Sequence, residues 1–214
     1  MNIYLIRHGE TPWNNEAKFQ GTTDIPLNDY GIELAEITSK ALEDIDFDIC
    51  FTSDLIRARQ TAEIMCGSRN IEIIPDSRLR EMSFGKYEGF YISELSSCED
   101  HPMYNFINRP EIYVAQDGED FSDVEARAKS FINEVLIPLE GKYKNVILSS
   151  HGAFIRSFLR CVREQDLADY WRLCPQKNCS VNILELSNGK ISVIEESKLY
   201  YDINNSGKTM LSVL

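Results

Sequence analysis

Three short apolar runs stand out along the chain, at residues 2–6 (NIYLI), 47–52 (FDICFT) and 145–150 (NVILSS). Each is partly β-branched or aromatic and bounded by polar residues, the pattern of parallel strands buried on both faces. Between them the apolar period lengthens to that of a helix. In NDYGIELAEITSKALEDI, Leu34, Ile37, Ala41, Leu42 and Ile45 share a face, with Asn28 placed as a cap. Val124, Ala128, Phe131, Ile132 and Val135 repeat the pattern in FSDVEARAKSFINEVLIPLE. Strands alternating with helices imply right-handed crossovers, so the spacing predicts an α/β sandwich on a mostly parallel sheet.

Toward the end, SVNILELSNGKISVIEES carries two strand-like runs about Asn188-Gly189, which predicts a C-terminal antiparallel hairpin through a type I′ turn. Residues 86–117 break the alternation, with Tyr87, Phe90, Tyr91, Tyr104, Phe106 and Tyr113 set among Pro102 and Pro110. The segment reads as an insertion over a site, or as an excursion that only buries its rings. No repeat or linker-like tract divides the chain. The expected organisation is one domain over residues 1–205 and a tail over 206–214, either loose or docked as a strand.

Composition narrows the function. The 214 residues carry a formal charge of −12, which argues against nucleic acid and anionic membranes as partners. No apolar run reaches the ~18 residues of a membrane span, and MNIYLIRHGE lacks a signal-peptide layout, so a cytoplasmic location is expected. Six cysteines without a C-x-x-C pair suggest neither a zinc site nor a disulfide framework. A small phosphorylated partner remains compatible with an acidic chain if arginines cluster locally.

They do, at the carboxyl ends of the expected strands, where ligands bind in open parallel sheets. The first strand ends in Arg7-His8-Gly9. The second runs into SDLIRARQTAEIM, with Ser53 as N-cap and Arg57 one turn into a helix. The third ends in His151-Gly152, followed by a helix whose first amides would face the site. One histidine at a strand end is an ordinary structural residue; two of the chain's three, beside arginines, favour chemistry. Glu10 and both histidines would suffice for a metal, but flanking guanidinium groups repel a cation and suit a phosphoryl dianion.

The chain has no phosphate loop of the G-x-x-x-x-G-K type and no C-x5-R or G-x-S-x-G nucleophile. A neutral imidazole is a competent nucleophile, which makes His8 the candidate. The clearest carboxylate to protonate a leaving group is Glu81 in LREMSFGKYEG; the alternative is a surface glutamate at a strand end.

In LIRHGETPWN, QGTTDIPLNDYG, SDLIRARQTAE, LREMSFGKYEG, GEDFSDVEAR and SSHGAFIR, taken in order over nearly the whole chain, the sequence resembles the histidine phosphatase superfamily, also called phosphoglycerate mutase-like. The resemblance implies a three-layer α/β/α sandwich and a covalent phosphohistidine with no metal or other cofactor. It assigns His8 as the phosphorylated nucleophile and Glu81 as proton donor and later base. Arg7, Arg57 and His151 would hold the transferring group. Asn14 would contact phosphate and Gln20, Gly21 and Thr22 the substrate, and Gly152, which opens the helix beside His151, is expected in the same phosphate- and substrate-binding set. Arg59 and Arg156 carry no core family role and are taken as structural or rim residues.

The family's frequent G-E-S is here Gly118-Glu119-Asp120, and the segment between Gly89 and Gly118 is shorter than in the cofactor-dependent mutases. The first bears on a substrate-side contact; the second, with the mutases' extended basic pattern missing, favours a phosphatase resembling the small broad-specificity and α-ribazole phosphatase branch. The expected activity is hydrolysis of small phosphorylated metabolites by a monomer or homodimer. Mutase-type phosphoryl transfer and a non-catalytic phospho-ligand sensor are the alternatives.

Overall fold

The computed structural model describes residues 1–172 and 174–202, so the tail expected at 206–214 lies outside the described residues. In chain order the elements are β1 (Asn2–Arg7), the single turn α1 (Pro12–Asn15), α2 (Asp29–Ala41), β2 (Ile49–Thr52), α3 (Ile56–Cys66) and β3 (Glu72–Pro75). There follow α4 (Ile92–Ser96), α5 (Pro102–Asn108), α6 (Phe121–Phe131), α7 (Ile137–Leu139), β4 (Asn145–Ser150), α8 (Gly152–Arg163), β5 (Val181–Ser187) and β6 (Lys190–Lys198).

The strands form one sheet in the order β3-β2-β4-β1-β5-β6. β3, β2, β4 and β1 run parallel, whereas β5 pairs antiparallel with β1 and β6 with β5. The expected hairpin is present: Asn188 and Gly189 both have positive φ, at 52° and 71°, as a type I′ turn requires. β3 escaped the sequence reading because it is a four-residue edge strand, half exposed and closed by Pro75.

Alternation along β1 sorts the two faces. Ile3 and Leu5 join Val124, Ala128 and Phe131 of α6 and Phe154 and Phe158 of α8 in one apolar cluster. Tyr4 and Ile6 face Leu42, Ala62 and Met65 on the other side. The fold is thus helices on both faces of a mostly parallel sheet. Ile3, Leu5 and Ile6 are fully buried, each contributing about 1.5–3 kcal/mol by transfer from water.

Several local expectations are corrected. Asn28 does cap α2, accepting from the Gly31 amide at 2.7 Å, but the buried face is Gly31, Leu34, Ala35, Thr38 and Leu42. Ile37 and Ala41 face solvent, because the helix packs along α3 through Leu34, Ala35 and Thr38 and leaves the adjoining stripe uncovered. Ser53 does not cap α3. That helix begins at Ile56, its first amide donates to Asp24 Oδ1 at 2.6 Å, and Arg57 therefore lies in the first turn. After α6 the chain makes a π turn over Ile132–Leu136, just ahead of Pro138, which has no N–H to continue the helical ladder. The shift buries Leu136 where the period placed Val135.

Residues 86–117 divide their rings. Tyr87, Phe106 and Tyr113 are buried, and Phe106 stacks on Phe121 at 5.3 Å and 6° and meets Trp171 edge-on at 5.2 Å. Phe90 and Tyr91 stay exposed. No helix among the described residues is long and apolar enough to cross a membrane.

Candidate active site

β1 and β4 are neighbours, and both end on a histidine. The His8 amide donates to Ser150 O at 2.9 Å, which ties the end of one strand to the end of the other. The rings of His8 and His151 lie 5.0 Å apart at 57°. Gly9 passes α2 so closely that a Cβ there would meet Gly31 O at 2.4 Å, so no other residue fits without displacing backbone.

The tautomer of His8 follows from one contact. Its Nδ1 lies 2.7 Å from Gly9 O, and since a carbonyl only accepts, Nδ1 carries the proton. The lone pair is then at Nε2. Burial, followed by the charges of Arg57 and Arg7, holds the ring well below the ordinary histidine pKa, with the Gly9 bond opposing. Burial and then Arg57, His8, Arg127 and Arg7 do the same for His151. Both rings are therefore neutral at neutral pH. Among the described residues, neither ring nitrogen of His151 has a hydrogen-bond partner, nor does Arg57 Nε.

Arg7 and Arg57 are fully buried, and desolvation brings each guanidinium down to about 10, with Glu81 as the largest opposing influence. Both stay charged at pH 7. Arg57 is fixed by Gly21 O at 2.7 Å and Thr23 O at 2.9 Å, and Arg7 by Gln176 O at 2.5 Å.

Arg7, His8, Arg57 and Glu81 line one small cleft, open to solvent, and Asn14, Gln20 and Gly21 line it too. Thr22, Gly152 and His151 do not. Thr22 is turned away because its amide donates to Glu88 Oε1 at 2.9 Å, and His151 stands behind His8 with no exposed surface. The first amides of α8, expected to face the cleft, are taken by Glu81: Ala153 N donates to Oε2 at 3.1 Å and Phe154 N to Oε1 at 3.0 Å. That bond fixes the carboxylate beside the arginines and leaves Gly152 as the close helix start. Glu81 is buried, not a surface glutamate.

Glu10 accepts from Asn28 Nδ2 at 2.9 Å, which turns it toward the α2 cap instead of a histidine-based metal site. Arg156 is buried, with its guanidinium 5.2 Å from the Trp171 ring, so it belongs to the core and not to a rim; Arg59 is exposed. In the departing motif, Asp120 caps α6 in a box with Asp123. Glu119 pairs with Arg127 at 2.9 Å, and Arg127 donates to Glu81 O at 3.1 Å.

Sequence reasoning passed over Lys18 and Phe19, which also line the cleft, and Glu88, Gln176 and Asn178, which support it. Lys18, Phe19 and Glu88 lie in or beside motif segments, and that adjacency was the available signal. Gln176 and Asn178 act on residues some 170 positions away, through contacts that leave no local pattern.

Known proteins place this geometry in a family. YhfR of Bacillus stearothermophilus has the same fold, with a TM-score of 0.86 and 33% identity, over 92% of this chain and 97% of that one. Phosphoserine phosphatase of Entamoeba histolytica, solved with 3-phosphoglyceric acid, is 26% identical with a TM-score of 0.79, over 92% of this chain and 96% of that one. The "Probable 2-carboxy-D-arabinitol-1-phosphatase" of Arabidopsis thaliana is 31% identical over 184 residues, which is 86% of this chain but 37% of that protein. The chain thus spans little more than a third of that plant relative. Residues 3–197 match the profile of the histidine phosphatase superfamily, branch 1, and the chain belongs to that family.

Proposed function

We propose that the chain hydrolyses small phosphate monoesters in the cytoplasm, as a monomer or homodimer, through a phosphohistidine on His8. The observation that carries this reading is the neutral His8 ring, its Nδ1 proton engaged by Gly9 O and its Nε2 lone pair free, beside two buried arginines. Nε2 attacks phosphorus, the P–N bond forms as the ester P–O bond breaks, and protonated Glu81 gives its proton to the departing oxygen. Water then attacks phosphorus as the Glu81 carboxylate takes a proton from it, and the P–N bond breaks to release phosphate and neutral His8. Arg7 and Arg57 stabilise the oxygens around phosphorus, with neutral His151 packed 5.0 Å from the His8 ring, and no metal enters.

The solvent-open cleft between Arg7, Arg57 and Gln20-Gly21 leaves the leaving group room to extend outward from the phosphoryl pocket. Segment 86–117 braces the wall residues Lys18 and Phe19, since Phe19 N donates to Phe90 O at 3.0 Å and Lys18 pairs with Tyr91. The phosphatase names of the Entamoeba and Arabidopsis relatives support the same chemistry. The test is hydrolysis of p-nitrophenyl phosphate in excess chelator by the native chain and by His8→Ala. Turnover by the native chain alone is expected. Activity that requires a divalent cation, or phosphoglycerate isomerisation faster than hydrolysis, would overturn the reading.

A further inference from the structure

Three cationic side chains line the cleft, and the phosphoryl group accounts for two of them. Arg7 and Arg57 flank His8 and lie buried, with planar forks suited to phosphate oxygens. Lys18 is different in chemistry and in place. It is a compact single charge, partly exposed at 20%, on the loop that joins α1 to the Gln20-Gly21 wall.

The backbone holds it there against a local cost. Ala17, the preceding residue, has φ of 55°, a left-handed conformation that alanine rarely adopts and that persists where surrounding structure imposes it. Its carbonyl accepts from Ile92 N at 2.9 Å, Lys18 N donates to Trp13 O at 2.9 Å, and Lys18 bridges to Tyr91. The reversal brings Lys18 back between the α1 turn and segment 86–117, into the lining of the cleft.

The ammonium is engaged only in part. Glu16 Oε2 accepts from it at 2.6 Å and the Tyr91 ring lies 4.9 Å away. An ammonium has three donors, and Glu16, 42% exposed, can turn into water when another anion arrives. The Glu16 bond also holds Lys18 above its ordinary pKa, so the charge is present throughout the neutral range. One positive charge beside the phosphoryl pocket balances the single negative charge of a carboxylate on the leaving group, whereas a second phosphate would bring nearly two.

We propose that Lys18 is a specificity-determining residue that selects phosphate monoesters whose leaving group carries a carboxylate. The assignment rests on the phosphatase reading above. It predicts a preference between 3-phosphoglycerate and glycerol 3-phosphate, which share a three-carbon frame and differ by carboxylate against hydroxymethyl.

The measurement is the ratio of kcat/KM for these two esters, with p-nitrophenyl phosphate as a separate check on hydrolysis. The native chain is expected to favour the carboxylate ester, and Lys18→Gln to cut the ratio about tenfold, the scale of one charge-assisted contact. Lys18→Arg should keep most of the preference, and Glu16→Gln, which removes the competing carboxylate, should raise it. Absence of a preference in the native chain, or a ratio that ignores Lys18→Gln while both rates fall, would overturn the assignment. If p-nitrophenyl phosphate is cleaved and the ratio still does not move, only the role of Lys18 fails. If no monoester is cleaved, the phosphatase reading fails first.

Discussion

Asn178 Nδ2 donates to Asn14 Oδ1 at 3.2 Å and to His8 O at 3.0 Å. Thr11 N donates to the same Asn14 oxygen at 3.2 Å, so the Oδ1 face of Asn14 is occupied and its Nδ2 is left for the cleft. A phosphate oxygen would meet a donor oriented before it arrives. Asn178→Ala is expected to lower kcat/KM for an aryl phosphate about tenfold, as one neutral hydrogen bond of orientation is lost. An unchanged kcat/KM would show that Asn14 needs no such support.

Glu88 acts on Arg57 through a loop. Its carboxylate accepts from the amides of Thr22 and Thr23 at 2.9 Å each and from Phe84 N at 3.1 Å, while Gly21 O and Thr23 O hold the Arg57 guanidinium. Removing that charge loosens the carbonyls that aim the arginine. Glu88→Gln is expected to reduce kcat/KM about 10- to 100-fold, and Glu88→Asp, too short to span both threonines, to rescue little. Steady-state kinetics on folded protein checks it.

Glu81 should separate good leaving groups from poor ones. Glu81→Gln lacks the proton that an alkoxide needs, so hydrolysis of glycerol 3-phosphate should fall by about 10²–10⁴. p-Nitrophenolate leaves without that help, but water attack on the phosphohistidine still wants a base. The variant should therefore release one equivalent of p-nitrophenol in a burst and then turn over slowly. Equal losses on both substrates without a burst would remove Glu81 from proton transfer.

The two buried histidines make the fold acid-sensitive. Both are held neutral in the folded chain, whereas in the unfolded chain each takes up a proton below about pH 6.5. The unfolded state then binds more protons, so stability rises with pH and is lost as pH falls below that value. The slope approaches about 1.4 kcal/mol per pH unit for each histidine well below pH 6.5 and is smaller near it, so between pH 7 and 5.5 the pair accounts for about 2.5 kcal/mol in total. Urea denaturation between pH 7 and 5.5 measures it, and His8→Asn or His151→Asn should each remove about half of the slope.

What the sequence made legible divides by range. The strand ends could be read because β1 and β4 are short, buried on both faces and followed at once by Gly9 and Gly152, so His8 and His151 fell where ligands bind. Pattern reading failed where tertiary packing overrides a helical stripe, as at Ile37 and Ala41, and where a strand is a short, half-exposed edge closed by proline, as in β3. The strand-end pattern aimed the α8 amides at the site and the family resemblance put Thr22 there, and neither reveals that Glu81 and Glu88 occupy those donors. Phe106 shows the same limit: a ring in an irregular segment reads equally as a substrate wall or as core, and packing on Phe121 makes it core.

The central claim is that the phosphoryl group passes through His8 Nε2. Rapid quenching of the native chain with a monoester substrate into alkali, followed by mass spectrometry of its peptides, tests this directly. A single phosphate on His8 is predicted, stable in alkali, lost in acid, formed and broken at least as fast as turnover, and missing in His8→Ala. Undiminished hydrolysis without that phosphopeptide, or phosphate on another residue, would contradict the mechanism.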